Sequence, residues 1–335
     1  MTDETRDLFT IIDRFVHLRI AVWGDIILDE YLTGRTRRIS REAPVLILSY
    51  QNREFSLGGA GNALLNLKAL GVDPIPVGIV GDDESGRTVE RILREAGVAA
   101  SRLIKEPRFT TPLKTRILAG EENTRKQQIL RIDRDGPVPD AAVLKRKIRK
   151  ALDRAAAECD ALLISDYHYR TVKEDIYRAV LPAFRKAGKP VALDSRYRLL
   201  EFKGATVATP NEPEVEDSLK VHPLEGSEAL IAAGEALLTA LRSPALLITR
   251  GSRGMALFQK GQAPVFLPVH GPTDIVDVTG AGDTVISVFT AALAAGATFV
   301  QAARLANVAG GIVVMKKGTA TVSPIELKQA VLSSP

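Results

Sequence analysis

Asp277-Val278-Thr279-Gly280-Ala281-Gly282-Asp283-Thr284 leads straight into the apolar run Val285-Ile286-Ser287-Val288-Phe289-Thr290-Ala291-Ala292-Leu293. The run reads as a buried helix, so the small residues before it form its N-terminal turn. Gly280 and Gly282 permit tight backbone geometry and the close approach of a ligand. The first turn of a helix leaves N–H groups without intrahelical partners, and the helix dipole adds partial positive charge there. Such a turn favours phosphate. Phosphate would repel Asp283 unless the carboxylate has a chemical task, and a base facing a phosphoryl acceptor is one. The plainer reading is a capped helix behind a glycine turn, and the motif alone leaves both open.

Outward from this motif, short apolar strands alternate with helices. Residues 7–18 read as an amphipathic lead-in helix and 19–24 as a strand ending in a Gly-Asp turn. Gly58-Gly59-Ala60-Gly61-Asn62 opens a helix that stops at Gly71. A strand at 76–80 and a charged helix at 83–96 follow. The rhythm resumes with helices at 140–157, 172–187 and 225–241 and strands at 161–165, 190–193, 205–208 and 245–249. A hairpin at 254–268 precedes helices at 281–295 and 298–315. Strands and helices alternating in this way predict a doubly wound, mainly parallel α/β sheet. Two β-rich segments interrupt it, about 31–50 and 110–132, the second turning at Glu121-Glu122-Asn123-Thr124. The expectation is that they pair as a small β-sheet lid; the alternative is that they extend the edges of the main sheet.

Bulk properties narrow the function. The chain has 335 residues, 45% apolar and 25% charged, with 45 basic against 40 acidic side chains. That is ordinary globular composition, and a net charge of +5 suits a small anionic ligand. No Lys/Arg block interleaved with aromatics argues for nucleic acid. No apolar run reaches membrane-spanning length, and the charged N-terminus lacks a signal-peptide core, so a cytoplasmic location is expected. A lone cysteine, Cys159, excludes an internal disulfide and is read as structural. His17, His168, His222 and His270 lack metal spacing and are read as structural or surface groups.

In parallel α/β sheets, ligands bind at the carboxyl ends of the strands. Gly24-Asp25, Ser165-Asp166, Asp194, Asn211 and Thr249-Arg250-Gly251 fall at such ends, and together with the opening motif they suggest one shared site. Asn211-Glu212-Pro213-Glu214 fits a helix start, where Asn caps and acids face the dipole. Its oxygens equally suit a hard cation held through water. The glycines at 58–61 make a poor dinucleotide fingerprint, because Leu64 stands at the third glycine position. Walker and protein-kinase motifs are absent from the sequence.

Taken together, these residues resemble the ribokinase-like (PfkB) carbohydrate kinase family over about 19–322. The resemblance rests on Gly58-Gly59-x-x-Asn62, Asn211-x-x-Glu214, Thr249-Arg250-Gly251 and the motif from Asp277 to Thr284. Gly24-Asp25-Ile26-Ile27-Leu28-Asp29-Glu30-Tyr31, Gly34 and Arg38-Ile39-Ser40-Arg41-Glu42-Ala43-Pro44-Val45 resemble the bacterial heptose-7-phosphate kinases in particular. Ser165-Asp166-Tyr167, Lys114-Thr115-Arg116 and Gln127-Gln128-Ile129-Leu130-Arg131-Ile132-Asp133 match as well. Two departures stand out. His168-Tyr169-Arg170 replaces the usual x-Lys-Gly, and Arg41 replaces Pro. The bifunctional members carry a nucleotidyltransferase domain after the kinase, and the chain is expected to be the kinase alone.

The resemblance implies one ribokinase-like domain over 1–335, helices on both faces of the sheet, and a lid made by the two insertions. It implies ATP-dependent phosphorylation of the anomeric hydroxyl of D-glycero-β-D-manno-heptose 7-phosphate, on the route to lipopolysaccharide heptose. Asp283 would be the base, and the amides of Gly280, Ala281, Gly282 and Asp283 the anion hole. Asp29, Gly58, Gly59, Asn62 and Asp166 would bind the sugar, with Lys114, Arg116 and Arg131 as candidates for its phosphate. Asn211, Thr249, Gly251 and Asn307 would line the ATP site. Glu214 would position Mg2+ through water, and Asp277 would join a monovalent-cation (K+) site, as in some relatives. A homodimer formed through the lid is expected, without nucleic-acid or membrane partners. The competing readings are a kinase of another sugar or sugar phosphate, and a non-catalytic sugar- or nucleotide-binding regulator on the same fold.

Overall fold

The computed structural model describes residues 2–121, 126–221, 224, 226–271 and 275–333. The expected hairpin turn at Glu122-Asn123-Thr124, and His222, lie outside the described residues. In chain order the elements begin α1 (Asp3–Asp13), β1 (Arg19–Gly24), β2 (Ile26–Ile39), β3 (Leu46–Gly59), α2 (Ala60–Ala69), β4 (Asp73–Val77), β5 (Ile79–Val80) and α3 (Glu84–Glu95). Next come β6 (Ile104–Lys105), β7 (Leu113–Gly120), β8 (Gln127–Arg134), α4 (Ala142–Glu158), β9 (Ala161–Asp166), α5 (Glu174–Lys186), β10 (Val191–Ser195) and β11 (Val207–Ala208). The rest are α6 (Glu212–Leu219), α7 (Gly226–Leu241), β12 (Ala245–Thr249), β13 (Met255–Gln259), β14 (Val265–Leu267), α8 (Ala281–Ala294), α9 (Phe299–Val313) and α10 (Pro324–Ser333).

The main sheet has eight strands in the order β14-β13-β12-β11-β10-β9-β1-β4. The strands from β12 to β4 run parallel, and β13 and β14 add an antiparallel edge. Both faces of the sheet are covered, so its strands are apolar throughout rather than alternating with polar residues. The period of two appears instead in which core each side chain joins. Ile20, Val22, Leu163 and Leu247 pack with α1, α2, α3, α8, α9 and α10. Ala21, Trp23, Leu162, Ile164, Leu246 and Ile248 pack with α4, α5, α6 and α7. Cys159 is buried in the second core, and burial pushes its thiol up to about 11, an unreactive state at neutral pH.

The two β-rich segments join one separate four-stranded sheet, β3-β2-β7-β8. β2 and β3 form an antiparallel hairpin, β2 pairs parallel with β7, and β7 pairs antiparallel with β8. The sheet is larger than expected: its first hairpin spans Ile26–Gly59 rather than 31–50. It therefore rises directly from the carboxyl end of β1, and β3 descends directly into α2. Gly58 and Gly59 close a strand rather than open a helix, which starts at Ala60. Residues 52–57 belong to the antiparallel strand β3.

Three boundaries also differ. The lead-in helix is Asp3–Asp13, started by the Thr2 hydroxyl accepting from the Thr5 amide, and a short 3-10 turn covers Phe15–His17. The helix expected at 172–187 begins at Glu174. α10 was not expected, because it buries little apolar surface beyond Leu327 and Val331.

Candidate active site

Asp283 is the third residue of α8 and is buried beneath the separate sheet. Asn62 Nδ2, from the first turn of α2, donates to Asp283 Oδ2 at 2.9 Å. The hydroxyl of Tyr167, just past β9, donates to Asp283 Oδ1 at 3.3 Å. Burial raises this carboxyl to about 7, although both hydrogen bonds favour the ionised form. That value suits a base working near neutral pH.

A buried amide chain holds the base in place. Asn66 Nδ2 donates to Asn62 Oδ1 at 3.1 Å, and the Thr284 hydroxyl donates to Asn66 Oδ1 at 2.8 Å. Asn62 Nδ2 also reaches the Gly280 carbonyl at 3.3 Å, which ties α2 to the turn before α8. Gly280 has φ +77°, and a Cβ there would fall into Asn62 Nδ2, so both backbone and packing require glycine. The Ala281 amide donates to Val278 O at 3.2 Å, and the Thr284 amide to Gly280 O at 3.2 Å. The intervening amides of Gly282 and Asp283 have no partner among the described residues. Within the motif those two amides are thus open to an anion, while the amide of Ala281 is already engaged. A Cβ on Gly282 would stand in open space, so a ligand can approach there.

The carboxyl ends of β10, β11 and β12 lie alongside. Asp194, in β10, is strongly raised by burial and then by the negative charges of Glu214, Asp283 and Asp166. Glu214 is also raised by burial, although it is tied into the cap of α6. In that cap the Asn211 amide donates to Glu214 Oε2 and the Glu214 amide to Asn211 Oδ1, each at 2.9 Å. The helix-start reading of this motif is therefore correct, and the Asn211 side chain also bonds the Glu214 carboxylate. Asn211 also bridges to Thr249 at the end of β12, and Gly251 follows with φ +56°. Asn307 Nδ2 donates to Pro268 O at 2.8 Å, so α9 closes the same end of the sheet.

No group of three or more His, Cys, Asp or Glu side chains suited to a metal occurs among the described residues. A Mg2+ ion does not need one, because it keeps several waters and takes one or two carboxylates plus substrate phosphates. The close pair Asp194 and Glu214 fits that donor set. Asp277 does not supply a comparable one. Its Oδ1 accepts from the Thr279 amide at 2.9 Å and hydroxyl at 2.7 Å, and its Oδ2 from the Gly318 amide at 3.0 Å. Burial pushes the Asp277 carboxyl up, but these bonds outweigh it and the group sits below its ordinary value. Asp277 holds its own loop through these bonds.

On the sheet above, Asp29 is buried and pairs with Arg116, whose guanidinium also stacks 5.4 Å from the Tyr31 ring centre. Gly58 lies against the same carboxylate: a Cβ there would be 2.6 Å from Asp29 Oδ2. Lys114 Nζ sits 5.7 Å over the Tyr167 ring. Arg131 pairs with Asp133 at 2.9 Å on an exposed strand.

The pfkB family of carbohydrate kinases matches residues 18–326. The chain belongs to that family. Among curated proteins, this pfkB chain is 40% identical over 325 residues to the bifunctional protein HldE of Citrifermentans bemidjiense, and 38% identical over 327 residues to that of Geotalea uraniireducens. Each match takes in 97% of this chain and 65% of the relative, so the chain spans about two thirds of their length. Among solved structures, Arabidopsis thaliana ribokinase complexed with ribose and ATP has a TM-score of 0.69 at 21% identity, over 94% of this chain and 98% of the other. At that identity the likeness speaks for the fold.

The structure gathers Asp283, Asn62, Gly280 and Gly282 at one point, with Asp29, Gly58, Lys114 and Arg116 above and Asn211, Glu214, Thr249 and Gly251 beside. Asp166 is not among them. It is buried and accepts from Arg198 Nη2 at 2.5 Å and Ser195 Oγ at 2.7 Å, so its carboxylate is already engaged. The sequence reading placed Asp25 and Asp194 at strand ends in a shared site, and Tyr167 in a matching motif, without giving any of them a particular task. Asp25 is buried and accepts from the amides of Tyr167, Tyr169 and Thr171 at 2.8, 3.1 and 3.1 Å, which shapes the loop carrying Tyr167. Position at a strand end was the available signal for all three.

Proposed function

We propose that this chain is an ATP-dependent kinase that phosphorylates the anomeric hydroxyl of D-glycero-β-D-manno-heptose 7-phosphate to the 1,7-bisphosphate. One observation carries the reading: a buried carboxylate raised to about 7 stands in the first turn of a helix whose neighbouring amides are open to an anion. Asp283 hydrogen-bonds the attacking hydroxyl and receives its proton. The new bond forms from that oxygen to the γ-phosphorus of ATP, and the bond to the β,γ-bridging oxygen breaks, releasing ADP. A loose phosphoryl transition state needs positioning and late proton removal more than a strong base. The amides of Gly282 and Asp283 stabilise the charge on the transferring group, and a donor of this kind is worth about 2.7–4 kcal/mol. Asn62 holds the base rather than the sugar, while Asp29 and the Gly58-Gly59 backbone meet the hydroxyls. Asn211, Thr249, Gly251 and Asn307 line the nucleotide trough. Asp194 and Glu214 would hold Mg2+ through water, which when bound neutralises phosphate charge. The separate sheet acts as a lid that excludes water from the transfer.

The choice of sugar rests on the N-terminal resemblance and on the 36–40% identity to the HldE proteins. It is tested by measuring ADP release with Mg-ATP over a panel of sugars and sugar phosphates. Preferential turnover of the heptose 7-phosphate supports it, and turnover restricted to other sugars reassigns the substrate.

The base makes a pH prediction. The kcat/KM of wild type is expected to fall below about pH 7 as Asp283 takes up a proton. Tyr167→Phe removes a bond that lowers this carboxyl, so the acid limb should move to higher pH, by about 1 pH unit or less. A limb that stays in place in Tyr167→Phe would show that Asp283 is not the group titrating.

The lid also bears on assembly. Ile39, Leu46, Tyr50, Ile129, Leu130 and Ile132 on its strands, and Val45 just before β3, are exposed large apolar side chains. Exposed apolar patches and unpaired edges such as β8 are usually covered by a partner. The reading is a homodimer joined lid to lid. Leu130→Glu is expected to shift the sedimentation coefficient to that of a monomer; a monomeric wild type refutes the pairing.

A further inference from the structure

Beside the reacting end of the site lies a second cavity of about 530 Å³. Lys114 and Arg131 from the lid, Tyr167, His168, Tyr169 and Arg170 from the loop after β9, and Arg196 and Tyr197 after β10 form its walls. Four cations face two carboxylates, Asp133 and Asp135. Both carboxylates are engaged: Asp133 pairs with Arg131, and Asp135 accepts from the Tyr169 hydroxyl at 3.1 Å. Lys114, Arg170 and Arg196 have no carboxylate hydrogen-bonded to them among the described residues; Lys114 and Arg196 rest on the rings of Tyr167 and Tyr197. Asp29 and Asp133 act on Lys114, and Asp194 and Glu214 on Arg196, only at longer range, so three cations gathered with no carboxylate hydrogen-bonded to them among the described residues favour a bound anion.

The loop after β9 is built to hold Arg170 there. The amides of residues 167, 169 and 171 all turn inward to Asp25. The intervening His168 and Arg170 both take φ +73°, a left-handed backbone that side chains with a Cβ rarely adopt. Strain of this kind collects at functional sites. Tyr169 and Arg170 are the positions at which the chain departs from the x-Lys-Gly of the heptose-7-phosphate kinases, and Arg170 stands where they have the glycine. The wall shared with the reacting end is Tyr167, whose hydroxyl donates to Asp283 and whose ring lies under Lys114. Lys114 acts electrostatically on Asp283, and Arg196 on Lys114, Tyr167 and Asp194, so these two cations lie within electrostatic reach of the reacting end.

We propose that Lys114, Arg170 and Arg196 form the subsite for a phosphomonoester at the end of the sugar remote from the reacting hydroxyl. Arg116, paired with Asp29, and Arg131, paired with Asp133, are thereby relieved of that role. The inference rests on the sugar-kinase reading but not on the identity of the sugar. Arg170 here takes the place of the lysine expected one position earlier.

The test compares Arg170→Met, Arg196→Met and the charge-retaining Arg196→Lys with wild type. Each is assayed with the heptose 7-phosphate, with other sugar phosphates, and with the same sugars lacking phosphate; thermal melting reports folding. Each Met variant should lower the ratio of kcat/KM for phosphorylated over unphosphorylated sugar by roughly tenfold to a hundredfold, the effect of losing one charged hydrogen bond. Arg196→Lys should retain part of that preference. An unchanged ratio in folded Met variants overturns the subsite and leaves the kinase reading intact. If wild type rejects the heptose 7-phosphate but accepts another sugar phosphate, and the ratio collapses for that compound, the heptose assignment fails and the subsite stands. Turnover restricted to unphosphorylated sugars overturns the subsite.

Discussion

Asp283→Asn is expected to lower kcat by roughly 10²–10⁴-fold, the usual contribution of a positioned general base. Asn preserves the shape, and its carbonyl can still accept from Asn62, so the turn before α8 should persist and the sugar should still bind. The same substitution should stabilise the fold at alkaline pH. Burial holds the Asp283 carboxyl at about 7 in the native state, above its ordinary 3.8. Between those values the native state binds more protons than the unfolded state, so wild type loses stability as pH rises from about 4 to 7. Above that window the cost of the buried charge is on the order of 4 kcal/mol, at 1.36 kcal/mol per pH unit. Removing the carboxylate should therefore raise Tm at pH 8, with the gain fading toward pH 4. Melting curves across that range, beside single-turnover rates, check both parts. A variant that is slow but no more stable at pH 8 would mean that the carboxylate is solvated in the native protein.

The second large effect is expected at Arg198. Its guanidinium is buried, donating to Asp166 Oδ1 at 2.5 Å and to the Val172 carbonyl at 2.8 Å, and it stacks 5.1 Å from the Phe202 ring centre. Arg198→Met leaves Asp166 as a buried charge without its counter-ion, and breaking a buried pair from one side costs about 3–5 kcal/mol. Asp166→Asn together with Arg198→Met should recover much of that loss, because both charges are then gone. Urea unfolding of the single and double variants measures it. If Asp166 instead bound the sugar, Asp166→Asn would raise the sugar KM without lowering the unfolding midpoint.

Asp166 illustrates where the sequence is silent. Its place at the end of β9 is legible, since Ala161-Leu162-Leu163-Ile164 is an evident buried strand. That its carboxylate belongs to Arg198 depends on how the chain returns after β10. Asn62 is a similar case. The run Gly58-Gly59-x-x-Asn62 announces a site, but the amide's partner is Asp283, which packing of α2 against α8 brings to it. The parallel sheet was readable because buried strands and periodic helices carry strong signals. The lid was readable as β-rich but too short in extent. Its first hairpin slips register between Thr33 and Gly34 and again between Thr36 and Arg38, and each bulge resets the alternation by which strands are recognised. The anion turn was the clearest feature of all, since Gly280 and Asp283 serve backbone geometry and chemistry within one turn.

The central claim is tested most directly by the product. Incubated with Mg-ATP and D-glycero-β-D-manno-heptose 7-phosphate, the protein should yield, by 31P NMR, one anomeric phosphate resonance for each ADP formed. With Asp283→Asn that resonance should be nearly lost. Release of ADP without an anomeric phosphate, or an equal yield from Asp283→Asn, would contradict the account.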